Sequence, residues 1–279
     1  MRIESTIAAV HSNTLLKATN NSLSKSTDRL SSGKSITRAA DNAAGLAISE
    51  KLKAQMSSLN RAAANAYDGI SMIKTAEGAL SNTHEALQSM RELAVQAGNG
   101  TLAAGDRAAL QAQASQYAKD IDSISQTTEF NTQKLLDGSM AEGFNLQIDP
   151  NAIAAGDEAA ATGTQVKLGD FSAEALGVAN IDLTTAEGAA AAIDAIDQAI
   201  ASVTSQRVDL GSMQDRIEYS VNNLQTTSMN LMAAGSQISD VDMAEEMSEY
   251  TRLNILQQAN LAMQAQANKQ STQVLNLLR

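Results

Sequence analysis

The residues able to do chemistry are few. The chain has two histidines, His11 and His84, and no cysteine. Without a thiol there is no thiolate nucleophile, no thiolate metal site and no disulfide. His84 is followed by Glu85, which opens the H-E-x-x-H pattern that sets two imidazoles on one helical face around zinc. Position 88 is glutamine, so the second imidazole is missing. A lone histidine on a helix is more often a surface or packed residue than a ligand. Glycines and carboxylates are scattered, with no phosphate-cradling loop and no paired-acid constellation. Solvated helical faces account for the acidic residues. No catalytic residue, no cofactor site and no metal site is expected, and the chain reads as a non-enzyme.

The elements that would have to position any site are helices. From Leu52 to Ala94 apolar residues recur at steps of four and three: Leu52, Met56, Leu59, Ala63, Ala66, Ile70, Ile73, Leu80, Leu87 and Ala94. That period, near 3.5, marks a helix packed along other helices. Glu77, His84 and Arg91 interrupt the seam, and Ala76, Thr83 and Met90 beside them take over as a straight helix drifts against a strict heptad. No proline precedes Pro150. A helix from about Asn42 to Ala97 would be roughly 80 Å long and needs antiparallel partners from later in the chain to cover its seam.

Composition bounds the rest. The chain has 279 residues, 3% aromatics, no Trp and 11 Met. Its apolar content is largely Ala with Leu, Ile, Val and Met, which suits thin interfaces between closely packed helices. A net charge of -11 and a pI near 4.6 offer no basic footprint for nucleic acid. No run of 18 apolar residues occurs, so no membrane span is expected. The first residues, MRIESTIAAVHSNTLLK, lack the apolar core of a secretory signal, so export would use a route that reads something else.

Residues 1–32 carry a narrow stripe, Ile3, Ile7, Val10, Leu16, Leu23 and Leu30, on a polar helix. Alone in water such a segment is marginal. Gly33 is the natural stop, Lys34 to Asp41 is irregular, and Asp41-Asn42 can cap the long helix. Gly98-Asn99-Gly100 ends that helix, and a second runs from about Asp106, read as its N-cap, to about Gln126. Phe130 to Leu136 reads as loop. Phe144, Leu146 and Ile148, then Val166 and Leu168, show strand alternation, giving a small β-hairpin region near 140–175. Helix resumes near Thr185 and continues through Ile238. The last segment, with Leu253, Leu256, Leu261, Val274, Leu275 and Leu278, is again an apolar stripe on a polar rod. The fold class is mainly α: long antiparallel, coiled-coil-like rods with a small β-hairpin, the two termini paired with each other and the inner helices with each other.

Several stretches resemble bacterial flagellin, and the likeness spans nearly the whole chain. They are LSSGKSITRAADNAAGLAISEKL from Leu30, NAYDGISMIKTAEGAL from Asn65, MRELAVQAGNGT from Met90 and RVDLGSMQDRIEYSVNNL from Arg207. The run SQISDVDMAEEMSEYTRLNILQQANLAMQAQANKQSTQVLNLLR from Ser236 continues it to the last residue. The resemblance implies a structural subunit that polymerises into the flagellar filament for swimming, exported unfolded by the flagellar type III apparatus to an extracellular location. It implies an inner-core helical pair (D0) from residues 1–43 and 238–279, a rod domain (D1) from 44–237, and no outer D2 or D3 domains. A hook–filament junction protein shares such nested helical ends and is the alternative. A generic coiled-coil scaffold would explain the heptads but not the paired terminal likenesses.

The resemblance also implies partners. The filament core would use Ile3, Ile7, Val10, Leu16, Leu23, Leu30, Leu253, Leu256, Leu261, Val274, Leu275 and Leu278 against further copies of the chain. The C-terminal segment would bind the flagellar secretion chaperone, and both end segments would meet hook-associated and cap proteins. Gln88, Ser89, Arg91, Glu92, Leu93 and Gln113 correspond to the patch seen by Toll-like receptor 5. Arg91, Glu92 and Leu93 fit the pattern of strong activators, whereas Ser89 and Gln113 replace an arginine and a glutamate. Losing one charge-assisted contact costs about 1.5–3 kcal/mol, so weakened recognition is implied. Glu129, Thr132 and Ser271 also depart from the family pattern, which has glycine in place of Thr132.

Overall fold

The structure is a computed structural model that describes residues 7–149 and 164–277. Ile3, Leu278 and the middle of the Gly/Ala-rich connection, 150–163, lie outside the described residues. The elements are α1 (Ile7–Ser32), α2 (Ala43–Ala97), α3 (Ala104–Thr127), β1 (Glu129–Phe130), β2 (Gln133–Lys134), β3 (Phe144–Leu146), β4 (Thr164–Val166), α4 (Ala186–Ser239) and α5 (Met243–Leu277). The chain is mainly α, as expected from its periodicity.

The helix ends follow local chemistry. Gly33 takes φ +68°, which side-chain-bearing residues rarely adopt, and its N–H returns to the Arg29 carbonyl, closing α1. Asn42 caps α2: its Oδ1 accepts from the Gly45 N–H at 2.9 Å. Asp41 instead orders the turn before it, accepting from the Thr37 hydroxyl at 3.0 Å and from the Arg38 N–H at 3.1 Å. The expected cap of α3 is corrected. The helix starts at Ala104 after Ala103, and Asp106 stands one turn inside, its carboxylate accepting from the Ala103 N–H at 3.3 Å. That reach back from the first turn does a cap's work without the cap position.

The chain divides into two compact units. One comprises Ser57–Ser228, the other Met1–Met56 with Met229–Arg279. In the Ser57–Ser228 unit, α2 and α4 run antiparallel. Tyr67 Oη accepts from Gln225 at 3.1 Å, Glu77 meets Arg207 at 3.9 Å, and Arg91 meets Asp197 at 2.6 Å. Leu59, Ala66, Ile70, Ile73, Leu80, Leu87 and Ala94 are buried along α2, with Ala76, Thr83 and Met90 filling the places where the seam drifts. Leu110, Ala114, Ala118 and Ile121 of α3 join the same core, with Ile196, Val203, Leu210 and Ile217 of α4.

Two small antiparallel sheets sit on this core. β3 pairs with β4 in the register Phe144↔Val166 and Leu146↔Thr164. Leu146 lies over Gly69, where a Cβ would stand 2.5 Å from a Leu146 methyl carbon, so a larger residue there would force the Leu146 side chain to shift. The stretch read as a loop after α3 contains a second hairpin, β1 with β2, in the register Glu129↔Lys134. Its turn residues, Asn131 and Thr132, have φ of +49° and +66°. The usual Asn-Gly signal is absent, which is why alternation alone did not reveal it.

Candidate functional site

The surface with a function to explain belongs to the unit containing both ends of the chain. There α1 and α5 pack antiparallel. The Ser12 hydroxyl donates to the Asn260 carbonyl at 3.4 Å, and Asn260 Nδ2 donates to the Thr19 hydroxyl at 3.0 Å. Gln257 Nε2 donates to Asn20 Oδ1 at 2.9 Å, and Arg29 meets Glu246 at 3.7 Å. The Ser35 N–H donates to the Ser239 carbonyl at 2.8 Å, tying the turn after α1 to the end of α4.

The seam itself is polar. Ser12, Thr19 and Ser26 fall at seven-residue steps on α1, opposite Glu246, Leu253 and Asn260 at seven-residue steps on α5. Ser12, Ser26, Glu246 and Leu253 are buried, while Leu16, Leu23 and Leu30 are only half-buried at the flanks. Small hydroxyl side chains at the central position let the backbones approach but exclude little apolar area, and polar residues there fix register at a cost in stability. The Ser26 hydroxyl has no hydrogen-bond partner. Sequence reading found the leucine stripe and missed this layer. The serines and threonine at a constant spacing of seven, one helical turn before each leucine, were the signal that could have found it.

Much apolar surface remains outside the pair. Val10 is 54% exposed and Ile255 62% exposed, and Leu15, Leu256, Leu261 and Met263 are also open. On α5 the open residues point in several directions rather than along one stripe, because 243, 247 and 261 share a side that 255, 256 and 263 do not. Of the residues expected in the filament core, then, Leu253 is buried in the pair. Leu16, Leu23 and Leu30 flank it, and Val10, Leu256 and Leu261 are exposed. Ile7, Val274 and Leu275 lie within helices, but their side chains are outside the described residues.

The residues of the receptor-like patch belong to the other unit, five of them on α2 and Gln113 on α3. Gln88, Arg91, Glu92 and Gln113 are exposed, and Ser89 and Leu93 half-buried. Arg91 is already engaged: its Nε donates to Asp197 Oδ1 at 2.6 Å and a terminal nitrogen to Oδ2 at 3.4 Å. The hydrogen bond and charge of that guanidinium hold the Asp197 carboxyl below its ordinary value. His84 Nε2 lies 2.8 Å from Gln88 Nε2 one turn on. A cavity of about 580 Å3 opens between α2, the β1–β2 turn and β3, with Phe130, Phe144 and Met72 among its walls and Asp68, Asn131 and Gln147 at its rim.

Long paired helices, a weak polar seam joining the chain ends and apolar side chains left facing outward together define a class: helical structural proteins built for assembly. Comparison with known proteins places the chain within it. Residues 3–141 match the family model of the bacterial flagellin N-terminal helical region, and residues 193–278 that of the bacterial flagellin C-terminal helical region. A flagellin of Halalkalibacterium halodurans is 49% identical over 91% of this chain and 91% of its own. A flagellin of Bacillus subtilis is 46% identical over the full length of both. A solved flagellar hook-associated protein from Vibrio parahaemolyticus, 14% identical, shares the fold with a TM-score of 0.60 over 72% of this chain and all of its own. The chain belongs to the flagellin family, and it is a subunit of the bacterial flagellar filament, a structural protein of the extracellular flagellum.

Proposed function

We propose that α1 and α5 form the inner core of the filament and that assembly completes their fold. Residues 1–43 and 238–279 act as D0, and residues 44–237 act as D1. The observation that carries this reading is the set of apolar side chains, Val10, Ile255, Leu256 and Leu261, left open around a polar seam. On docking, these side chains bury against neighbouring copies. At about 25 cal/mol per Å2, a few hundred Å2 of apolar surface per subunit offsets several kcal/mol of ordering cost. Contacts that run head to tail without closing generate a helical polymer.

Export proceeds through the flagellar type III apparatus with the chain unfolded. A seam of Ser, Thr, Asn and Glu supports this reading, because it stabilises the ends little before they reach the tip. The secretion chaperone covers the open apolar side chains of α5 before export, and hook-associated and cap proteins meet the same end segments. Recognition by Toll-like receptor 5 is weakened at Ser89 and Gln113, and the Arg91–Asp197 pair adds a contact that a receptor must break.

The test is seeded growth. Purified chain is added to sheared flagellar fragments and viewed by negative-stain electron microscopy beside a version lacking residues 1–32 and 245–279. Long filaments from the intact chain and none from the trimmed one are expected. Equal growth from both would sink the assignment of the core to α1 and α5.

A further inference from the structure

Methionine is unevenly distributed. Among the described residues, the strongly exposed methionines are Met229, Met232, Met243, Met247 and Met263, and all belong to the unit that holds the chain ends. Met229 and Met232 are 62% and 61% exposed, whereas Met72 and Met90, in the core of the other unit, are 3% and 0% exposed. Met56, Met140 and Met213 are half-buried. Met229 and Met232 lie one turn apart on α4, and Met243 and Met247 one turn apart on α5, so each pair shares a helix face.

A thioether is soft and adaptable, which suits a surface that packs against more than one neighbour. It is also the side chain here that peroxide oxidises most readily, because the chain has no cysteine to compete. We propose that these five methionines are modification sites, and that their oxidation on the free subunit blocks its assembly. In the step, a sulfur lone pair takes one oxygen from hydrogen peroxide. The O–O bond breaks, an S–O bond forms, sulfur is oxidised, and the second peroxide oxygen leaves as water. The product is a polar sulfoxide, a strong hydrogen-bond acceptor where an apolar group stood. Buried between copies without a donor, it disfavours docking. Reduction by a methionine sulfoxide reductase with a thiol reductant reverses the change. The effect on assembly rests on the reading above, that the outward apolar groups of this unit become buried between copies.

Full-length chain is treated with hydrogen peroxide, mapped by peptide mass spectrometry and then tested for seeded elongation. The five exposed methionines should gain oxygen roughly tenfold faster than Met72 and Met90. The treated chain should lose most of its elongation rate and regain it after reductase treatment. A variant carrying Met229→Leu, Met232→Leu, Met243→Leu, Met247→Leu and Met263→Leu keeps apolar volume without sulfur and should elongate after the same treatment. If circular dichroism shows that the fivefold change disturbs folding, the paired variants Met229→Leu/Met232→Leu and Met243→Leu/Met247→Leu should each lose less elongation than the unsubstituted chain after the same treatment. Equal oxidation of core and surface methionines overturns the site assignment. Undiminished elongation by fully oxidised chain overturns the effect on assembly while leaving the filament-core reading intact. Failure of untreated chain to elongate seeds removes that reading, and the assembly effect with it, while the oxidation map stands or falls by itself.

Discussion

The two units use the same helical period for opposite ends. In the Ser57–Ser228 unit the seam positions are Ile73, Leu80, Leu87, Met90, Ile121 and Ile196, all with essentially no solvent exposure. In the unit of the chain ends the corresponding positions are Ser12, Thr19 and Ser26 against Glu246, Leu253 and Asn260, and larger apolar groups such as Val10, Ile255 and Leu256 face out. The first arrangement closes its own apolar seam within one chain, although Val95, Val208 and Tyr219 stay exposed on its outside. The second spends its apolar residues on surfaces that one chain does not cover. The periodicity of a sequence therefore reports that a helix packs, but the residue type at the central seam position reports whether it packs within its own subunit.

The sharpest way to break this contrast is to truncate one leucine in each unit. Leu87→Ala removes a fully buried side chain and should cost about 2–5 kcal/mol in urea unfolding followed by circular dichroism. Leu256→Ala should change that free energy by less than about 0.5 kcal/mol, because the side chain is exposed, yet slow seeded elongation. If Leu256→Ala destabilised the free subunit as much as Leu87→Ala, the contrast between the units would disappear.

A smaller effect is expected inside the finished unit. Thr132 holds φ +66° at the tip of the β1–β2 hairpin, a conformation in which a β-branched side chain is strained. Thr132→Gly should stabilise the subunit by about 0.5–1 kcal/mol after allowing for the greater freedom of glycine in the unfolded chain. A loss of stability in thermal melts would mean that the strain is absent.

The smallest effect concerns pH. The Arg91 hydrogen bond holds the Asp197 carboxyl below its usual value of 3.8. A depressed folded-state pKa means that the unfolded chain takes up the proton first. The contribution is thus complete above the usual value and is lost as pH falls through the lower, folded one. Both groups are exposed, so the contribution is screened and modest. Asp197→Asn should narrow the difference in unfolding midpoint between neutral and acidic buffer while leaving assembly at neutral pH unchanged. An identical acid response in the two proteins would show that the pair does not couple to folding.

Much of this was legible from residue order. The limits of α1, α2 and α4 follow from Gly33, Asn42, Gly98 and the restart at Ala186, because caps and breakers act locally. The β3–β4 pairing follows from the alternation around Phe144 and Val166. The β1–β2 hairpin did not show, since its turn is Asn131-Thr132 and lacks the glycine that marks a primed turn. The start of α3 was misplaced because Asp106 caps from within the first turn rather than from the position before it. The polar seam was hidden for a different reason. Hydrophobic periodicity finds leucines, and here the residues at the centre of the contact are small hydroxyls whose role depends on which face the partner helix occupies.

That seam has a mechanical consequence. The antiparallel pairing sets Ser12 beside Asn260 and Arg29 beside Glu246, so the early part of α1 lies beside the later part of α5. Tension applied to those two segments does not slide the helices past each other, which would load every layer at once. It peels them, one seven-residue layer at a time, against a hydroxyl contact or a single leucine. The force needed at any instant is that of one layer, and the pair closes again in the same small steps.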